Sequence, residues 1–225
     1  MVTSIQSTCL FYQPTMAWRI ASVSLILTVV FAIANVEADL TSTQKMQLLN
    51  THNAVRRSVQ PPATDIKTMK WSRELENTAQ NYANQCIWGH NSNRQTSPFS
   101  SVGENLYTST GDIQDYGSVV RSWYDEAKYY HYDSNTCDNS KVCGHYTQVV
   151  WANSDSLGCG VTRCANLRDL PSFKNALIVV CNYGPSGNFI GEKPYRTTRR
   201  RSLDSGELLQ EADSFVDDEN QTFEI

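Results

Sequence analysis

The sequence predicts an α+β domain held together by disulfide bonds. Three stretches carry apolar residues at helical spacing, and three others show the alternating or continuously apolar pattern of strands. Cys9 lies in an N-terminal leader, so six of the seven cysteines remain, an even number that in a secreted chain indicates three disulfides. The composition, 40% hydrophobic and 19% charged, is that of a globular protein.

The first 38 residues are predicted to be a secretory signal. Arg19 precedes an apolar run, and Val36-Glu37-Ala38 provides a small-residue cleavage site that would leave Asp39 as the mature N-terminus. The apolar run of about 15 residues is too short for a stable membrane anchor, so no stable membrane insertion is expected. Met1 and Met16 are both acceptable start positions.

Three helices are predicted from capping signals and apolar stripes. Thr41 and Gln44 have the spacing of a capping box, and Pro61-Pro62 ends the first helix. Ser72 is predicted to cap the second helix, and the third is predicted to begin near Asp112. The three stripes are Leu48, His52, Val55 and Val59; Leu75, Ala79, Tyr82 and Cys86; and Ile113, Tyr116, Val120, Trp123 and Ala127.

Strands are predicted in the segments between and after these helices. Residues 102–107 alternate, residues 157–164 form a short half-buried segment, and residues 175–183 form an apolar run with both faces covered. The last two are expected to form a hairpin. The segment "HYTQVVW" is too short for periodicity to distinguish a helix from a strand.

Residues 196–225 are predicted to be a disordered acidic tail, because they contain too few apolar residues to offset the entropy of ordering. The run Arg199-Arg200-Arg201 is either a convertase site, with processing after Arg201, or a solvated basic run. Asn220 begins a glycosylation sequon. The net charge of -4 and the scattered lysines and arginines argue against nucleic acid as a partner.

Two histidines and two glutamates occupy unusual positions. His90 and His145 each lie in a turn near a cysteine, whereas His52 is expected to be a hydrogen-bonded core residue and His131 to be exposed or stacked. Glu104 shares a strand face with Val102 and Leu106, and Glu126 lies at the edge of the third helical stripe. Inward-facing carboxylates need partners, so the four residues form either an internal hydrogen-bonded cluster or a metal site.

Five motifs in order resemble the CAP superfamily, which includes cysteine-rich secretory proteins, antigen 5 and pathogenesis-related 1 proteins. They are "THNAVR", "VGENLY", "GHYTQVVWANS", "VVCNY" and "GPSGNFIGEKPY", and the resemblance covers about residues 40 to 195. It implies a CAP domain over residues 39–195, folded as a three-layer α-β-α sandwich in which "HYTQVV" is a short helix. It also implies three disulfides, which pair Cys86 with Cys164, Cys137 with Cys143, and Cys159 with Cys181.

The resemblance also implies a site. In the family, two histidines and two glutamates line a cleft, and here they correspond to His90, Glu104, Glu126 and His145. Family members bind zinc or another divalent cation through the histidines, which suits neutral imidazole supported by carboxylates.

The expected function is therefore a secreted, extracellular binding protein, either a monomer or a weak dimer, with a lipid or sterol or an extracellular protein as ligand. The loop that carries Trp88 and Phe99 is placed to line a lipid groove. The alternative is that Trp88 belongs to the core and Phe99 anchors the loop. No cysteine follows Cys181, so the C-terminal cysteine-rich module of some relatives is not expected.

A metal-dependent hydrolase or peptidase, or a peptidase inhibitor, is the alternative use of the same cleft. No H-E-x-x-H motif is present, and Ser186 does not fit G-x-S-x-G. No catalytic residue is assigned, and a non-enzymatic role is expected.

Overall fold

A computed structural model describes residues 39–198 of the chain. The predicted signal peptide, the Arg199-Arg200-Arg201 run and the Asn220 sequon lie outside the described residues. Within residues 39–198, no helix combines the length and apolar character needed to cross a membrane.

The described chain contains both helices and strands, which are interspersed along the sequence. The helices are α1 (Ser42–Arg56), α2 (Arg73–Ala83), α3 (Gly117–Tyr124), which continues into a 3-10 helix (Asp125–Tyr129), and α4 (Gly144–Val149). The strands are β1 (Lys70–Trp71), β2 (Gly103–Ser109), β3 (Tyr130–His131), β4 (Thr136–Cys137), β5 (Ser156–Asn166) and β6 (Lys174–Gly184).

The central sheet has the strand order β1-β5-β6-β2. Strands β5 and β6 form the predicted antiparallel hairpin, and β2 pairs antiparallel with β6 as an edge strand. Helix α2 packs on one face of the sheet, while the residues of α1, α3 and α4 share a core cluster with the other face. The expected three-layer α-β-α sandwich is confirmed.

Glycines allow α2 to lie directly on β5. A Cβ atom at Gly158 would stand 2.1 Å from the backbone nitrogen of Glu76, and one at Gly160 would stand 2.3 Å from the Cα atom of Gln80. No side chain fits at that separation, so the close contact between helix and strand requires glycine at both positions.

Most of the local sequence signals are confirmed. The Thr41–Gln44 capping box and the Ser72 cap both form, and "HYTQVV" is helical within α4. The predicted start of the third helix is wrong: α3 begins at Gly117, because the Asp115 carboxylate accepts the Gly117 amide and closes a turn before it. Cys86 follows α2 rather than lying on its stripe, and has a left-handed backbone with φ of 54°.

The three expected disulfides are confirmed: Cys86–Cys164, Cys137–Cys143 and Cys159–Cys181. They join the turn that follows α2 to β5, the segment before α4 to β4, and β5 to β6. The first residues of the predicted tail also belong to the fold, because Arg196 donates its amide to Asp65 and Thr197 bridges to Ala63.

Candidate functional site

His90 and Glu104 form the first of two histidine–glutamate pairs. His90 lies in the loop after α2, and its ring Nδ1 is 2.9 Å from Glu104 Oε1 on β2. The same oxygen accepts the backbone amide of Asn91 at 2.9 Å. The Glu104 side chain is only 1% exposed, whereas the His90 side chain is 62% exposed. A buried carboxylate therefore orients a largely exposed ring through Nδ1.

His145 and Glu126 form the second pair. His145 is the second residue of α4, and its Nδ1 is 2.6 Å from Glu126 Oε1 on the 3-10 helix. Glu126 Oε2 accepts the backbone amides of His145 and Tyr146, each at 3.1 Å. The side chain of Cys143, the residue before α4, makes no capping hydrogen bond to the helix. Glu126 therefore supplies the anionic cap that a helix N-terminus favours.

A buried hydrogen-bonded chain ties His145 to the core. Asn105 Nδ2 donates to the carbonyl oxygen of His145 and to the hydroxyl of Tyr183. The Tyr183 hydroxyl in turn donates to His52 Nε2, while His52 Nδ1 donates to the carbonyl of Leu48. This confirms His52 as a hydrogen-bonded core residue, and burial lowers its pKa to about 3.

Strand β2 connects the two pairs. Glu104 and Asn105 are consecutive residues, so their side chains point to opposite faces of the sheet. Glu104 holds the His90 ring on one side, and Asn105 holds the His145 backbone on the other. Both histidines are thus attached to one edge strand.

The two pairs do not by themselves make a complete metal cage. Within residues 39–198, no three His, Cys, Asp or Glu side chains converge closely enough to hold a metal ion. What each pair provides is one imidazole with Nδ1 bonded to a carboxylate, which leaves Nε2 as the lone-pair donor. This carboxylate–histidine arrangement is the one that supports metal-binding histidines in proteins.

Comparison with known proteins identifies the family. The model of the cysteine-rich secretory protein family, CAP, matches residues 49–183. The chain belongs to the CAP family. Mouse peptidase inhibitor 16 is 41% identical over 157 residues, and the match covers 70% of this chain but 30% of that protein. Mouse GLIPR1-like protein 1 is 42% identical over 152 residues, with 65% of this chain and 61% of that protein covered.

Solved structures agree with the CAP fold. Venom allergen-like protein 4 of Schistosoma mansoni superposes with a TM-score of 0.58 at 27% identity and covers 70% of this chain and 96% of its own. NaASP2, whose structure was determined with Zn2+, gives a TM-score of 0.56 at 29% identity and covers 73% and 89%. The curated relatives bear the names of peptidase inhibitors and secretory proteins rather than enzymes. Together with the three disulfides, these matches indicate a CAP protein of the secreted type.

The loop after α2 of this CAP domain packs inward at both of its aromatic residues. Trp88 is half-buried against the cluster beneath α2. Phe99 covers Gly184, where a Cβ atom would stand 2.4 Å from the Phe99 ring. These contacts match the alternative predicted from the sequence, in which Trp88 belongs to the core and Phe99 anchors the loop.

One cavity adjoins the first pair, and another has none of the four candidate residues in its lining. One of about 530 Å³ has His90 and Asn91 in its wall, together with Tyr82 of α2. Another of about 1470 Å³ is lined by Tyr130, Tyr132, Tyr195 and their neighbours, and none of the four candidate site residues lines it. His131 is exposed as expected, and its Nε2 is 2.7 Å from Asp138.

Sequence reasoning missed Arg56, which supports the helix that carries His145. Arg56 is 2% exposed and donates to the carbonyl oxygens of five residues: Lys67, Val149, Trp151, Ala152 and Ser154. Its position four residues after His52 put it on the buried stripe of α1. That spacing was the available signal.

Proposed function

We propose that this CAP protein is an extracellular binding protein that holds a divalent cation, such as zinc, through His90 and His145. The observation that carries the proposal is the shared arrangement of the two pairs, in which a carboxylate bonds Nδ1 of each ring. A proton held at Nδ1 leaves the Nε2 lone pair for a metal ion. The relative NaASP2 was crystallised with Zn2+, which supports zinc as the first ion to test.

The donor set fits an open site rather than a closed structural one. Two imidazoles supply two ligands, and water would complete the shell, since zinc usually takes four. Glu104 and Glu126 already bond the ring nitrogens and backbone amides. Their part is to orient the rings and to balance the charge of the ion.

A lipid or a protein ligand is the proposed partner, and exposed apolar residues beside α4 support it. The side chain of Asn188 donates to the Gly144 carbonyl at 2.8 Å, which joins the loop after β6 to the start of α4. The next two residues of that loop are apolar and exposed, Phe189 at 49% and Ile190 at 103%, and Val142 just before α4 is 59% exposed. Apolar side chains displayed together are typical of interaction sites.

Native mass spectrometry of the protein secreted from animal cells, followed by zinc calorimetry, tests the metal proposal. His90→Ala and His145→Ala should each abolish stoichiometric zinc binding, and binding should weaken as the pH falls, because protons compete for the same lone pairs. His131→Ala is the matched control, since His131 also pairs with a carboxylate, but its partner Asp138 is 46% exposed, against 1% for Glu104 and 17% for Glu126. Unchanged zinc binding in either site variant, or no binding by wild type at neutral pH, would refute the proposal.

The partner proposal is tested with Phe189→Ser and Ile190→Ser. Both should reduce retention of the lipids or extracellular proteins that co-purify with the secreted wild-type protein. Met46→Ser is the control, because Met46 is 55% exposed on α1 and is equally apolar. Equal losses in all three variants would point to general surface stickiness instead of a defined site.

Peptidase inhibition is a second candidate, favoured by the names of two relatives, peptidase inhibitor 16 and peptidase inhibitor R3HDML. An assay against secreted serine, cysteine and metallopeptidases tests it. Inhibition by wild type that survives His90→Ala would separate this activity from the metal site, and hydrolysis of the substrates by the protein itself would instead favour an enzyme.

A further inference from the structure

Three buried side-chain atoms have no hydrogen-bond partner within residues 39–198, and they belong to two facing residues. They are Glu104 Oε2 and both amide atoms of Asn182. Asn182 is fully buried, and the Glu104 side chain is 1% exposed. Both side-chain hydrogen bonds of Glu104 within the described residues go to Oε1, which accepts from His90 and Asn91.

The register of the sheet places these atoms together. Glu104 on β2 and Asn182 on β6 are direct cross-strand partners. Such partners point to the same face, with Cβ atoms about 5 Å apart. No direct hydrogen bond joins the two side chains, although they lie on the same face of neighbouring strands.

The surroundings shield both side chains from solvent. On the other side of Asn182, its partner on β5 is Gly158, which lies directly beneath the backbone of α2. Two residues along β6, the ring of Phe99 covers Gly184. Neighbouring side chains on the same face, such as Leu106 and Val180, are apolar and buried. They offer Asn182 no polar partner.

We propose that Asn182 and Glu104 Oε2 share one buried water molecule, and that Asn182 is thereby a positioning residue for His90. The water donates to Glu104 Oε2 and bonds to the Asn182 amide, with Nδ2 donating or Oδ1 accepting according to the orientation of the amide. Buried polar groups of this kind are ordinarily satisfied by such internal waters. The chain of contacts then runs from Asn182 through water and Glu104 to the His90 ring.

The consequence concerns the tautomer of His90. With Oε2 held by water, Oε1 stays directed at Nδ1 of His90, and the ring proton remains at Nδ1. Without the water, the carboxylate can rotate and share its oxygens differently between the ring and the Asn91 amide. Asn182 thus helps to keep the Nε2 lone pair of His90 free, although it does not contact the ring. Any effect of Asn182 on zinc binding rests on the proposed metal site.

The test uses the full secreted chain, first without metal. Water-exchange NMR should detect one long-lived water near Glu104 in wild type, and ring nitrogen shifts should report a single Nδ1-protonated tautomer for His90. Asn182→Leu should lose that water and give a tautomer mixture at His90, with His145 unchanged. Asn182→Ser can still bind water and should retain the long-lived water and most of the Nδ1-protonated tautomer of His90. It also provides a test if the leucine variant does not fold.

Val180→Ala is the matched control, since it is buried on the same strand face and lacks a polar side chain. It should lower stability without moving the His90 shifts. Absence of the water in wild type, a direct Asn182–Glu104 bond in a high-resolution crystal structure, or an unchanged His90 tautomer in folded Asn182→Leu would overturn the inference.

Zinc calorimetry is a separate arm. Asn182→Leu should weaken zinc binding by about tenfold, the lower end of what is seen when outer partners of metal ligands are removed. If wild type shows the water and the single tautomer but binds no zinc, the proposed metal site fails and the assignment of Asn182 stands. Unaltered zinc affinity in Asn182→Leu would show that Asn182 has no role in the metal site.

Discussion

The two histidine–glutamate pairs make the same ring contact but are built in opposite ways. At His90 the carboxylate is buried and the ring is mostly exposed, and one carboxylate oxygen has no hydrogen-bond partner in the part of the chain that the structure describes. At His145 both groups are partly buried, and both oxygens of Glu126 accept hydrogen bonds. The His90 pair therefore depends on a strand residue inside the sheet, whereas the His145 pair depends on the N-terminus of a helix.

The same hydrogen bond between a histidine ring and a glutamate therefore serves two structural purposes. Glu126 is needed for α4 to begin where it does, so its removal should disturb the backbone around His145. Glu104 is held by the sheet whether or not His90 is present, so its removal should disturb mainly the ring. The following predictions separate these two dependences.

The disulfides beside the two pairs should differ most in their contributions to stability. Cys86–Cys164, four residues before His90, closes a span of 78 residues, whereas Cys137–Cys143, next to His145, closes a span of 6. Loop-closure entropy predicts losses of about 4.5 and about 2 kcal/mol when each bridge is replaced by two serines. Urea unfolding of both double variants measures the difference, and a larger loss for the short bridge would contradict the entropic account.

Arg56→Met should have the next largest effect, and should act on the His145 side. The arginine remains protonated at neutral pH, because burial lowers its pKa only to about 10. Its removal strands several buried carbonyl oxygens that follow α4, which should cost about 3 kcal/mol or more. Hydrogen exchange should increase over residues 144–154 before it increases around His90. Arg56→Lys is the control, because it keeps the charge but loses the guanidinium group that reaches several carbonyl oxygens at once. Full retention of stability by Arg56→Met would refute this role.

Mild acid should weaken the core network attached to His145. The pKa of His52 is about 3 in the folded protein because burial disfavours the charged ring, whereas an unfolded chain takes up the proton near pH 6.5. Stability from this residue is therefore intact above about pH 6.5 and is lost as the pH falls toward 3, at about 1.4 kcal/mol per pH unit. The expected loss is about 2 kcal/mol at pH 5.

The pH prediction is checked by urea unfolding of wild type and two variants between pH 7 and pH 4. His52→Gln should flatten the dependence, since it removes the titrating ring. His131→Gln should keep it, because His131 is exposed and outside the network. An equal slope in wild type and His52→Gln would show that other groups govern acid unfolding.

The smallest effects should come from the two glutamates. Glu126→Gln places an amide group against backbone N–H groups and the His145 ring, all of which need acceptors, and should cost about 1 to 2 kcal/mol. Glu104→Gln can keep its oxygen on His90 and Asn91 and place its amide where Oε2 has no protein partner. It should therefore cost less than about 1 kcal/mol. Thermal unfolding compares them, and equal costs would erase the distinction drawn between the pairs.

Local sequence signals were sufficient for most of the secondary structure. Helix α1 begins where Thr41 and Gln44 predicted, and α2 begins after Ser72, since a cap and its helix lie within four residues. The prediction for α3 was wrong because the apolar stripe starts before the backbone becomes helical. The Asp115 carboxylate accepts the Gly117 amide and closes a turn before the helix, and the apolar stripe gives no sign of this contact.

The sequence by itself determined the helix caps, the hairpin strands, the six paired cysteines and the inward position of Glu104, because each depends on residue type at short spacing. The likeness to CAP proteins supplied the disulfide pairing and the four candidate site residues. Only the tertiary structure decided which glutamate bonds which histidine, and how Arg56, Asn105 and Asn182 support them. These contacts join residues far apart in the chain, such as Arg56 and Trp151 or Asn105 and Tyr183. The helical spacing of Arg56 indicates that it is buried, but no local pattern indicates which distant residue it bonds.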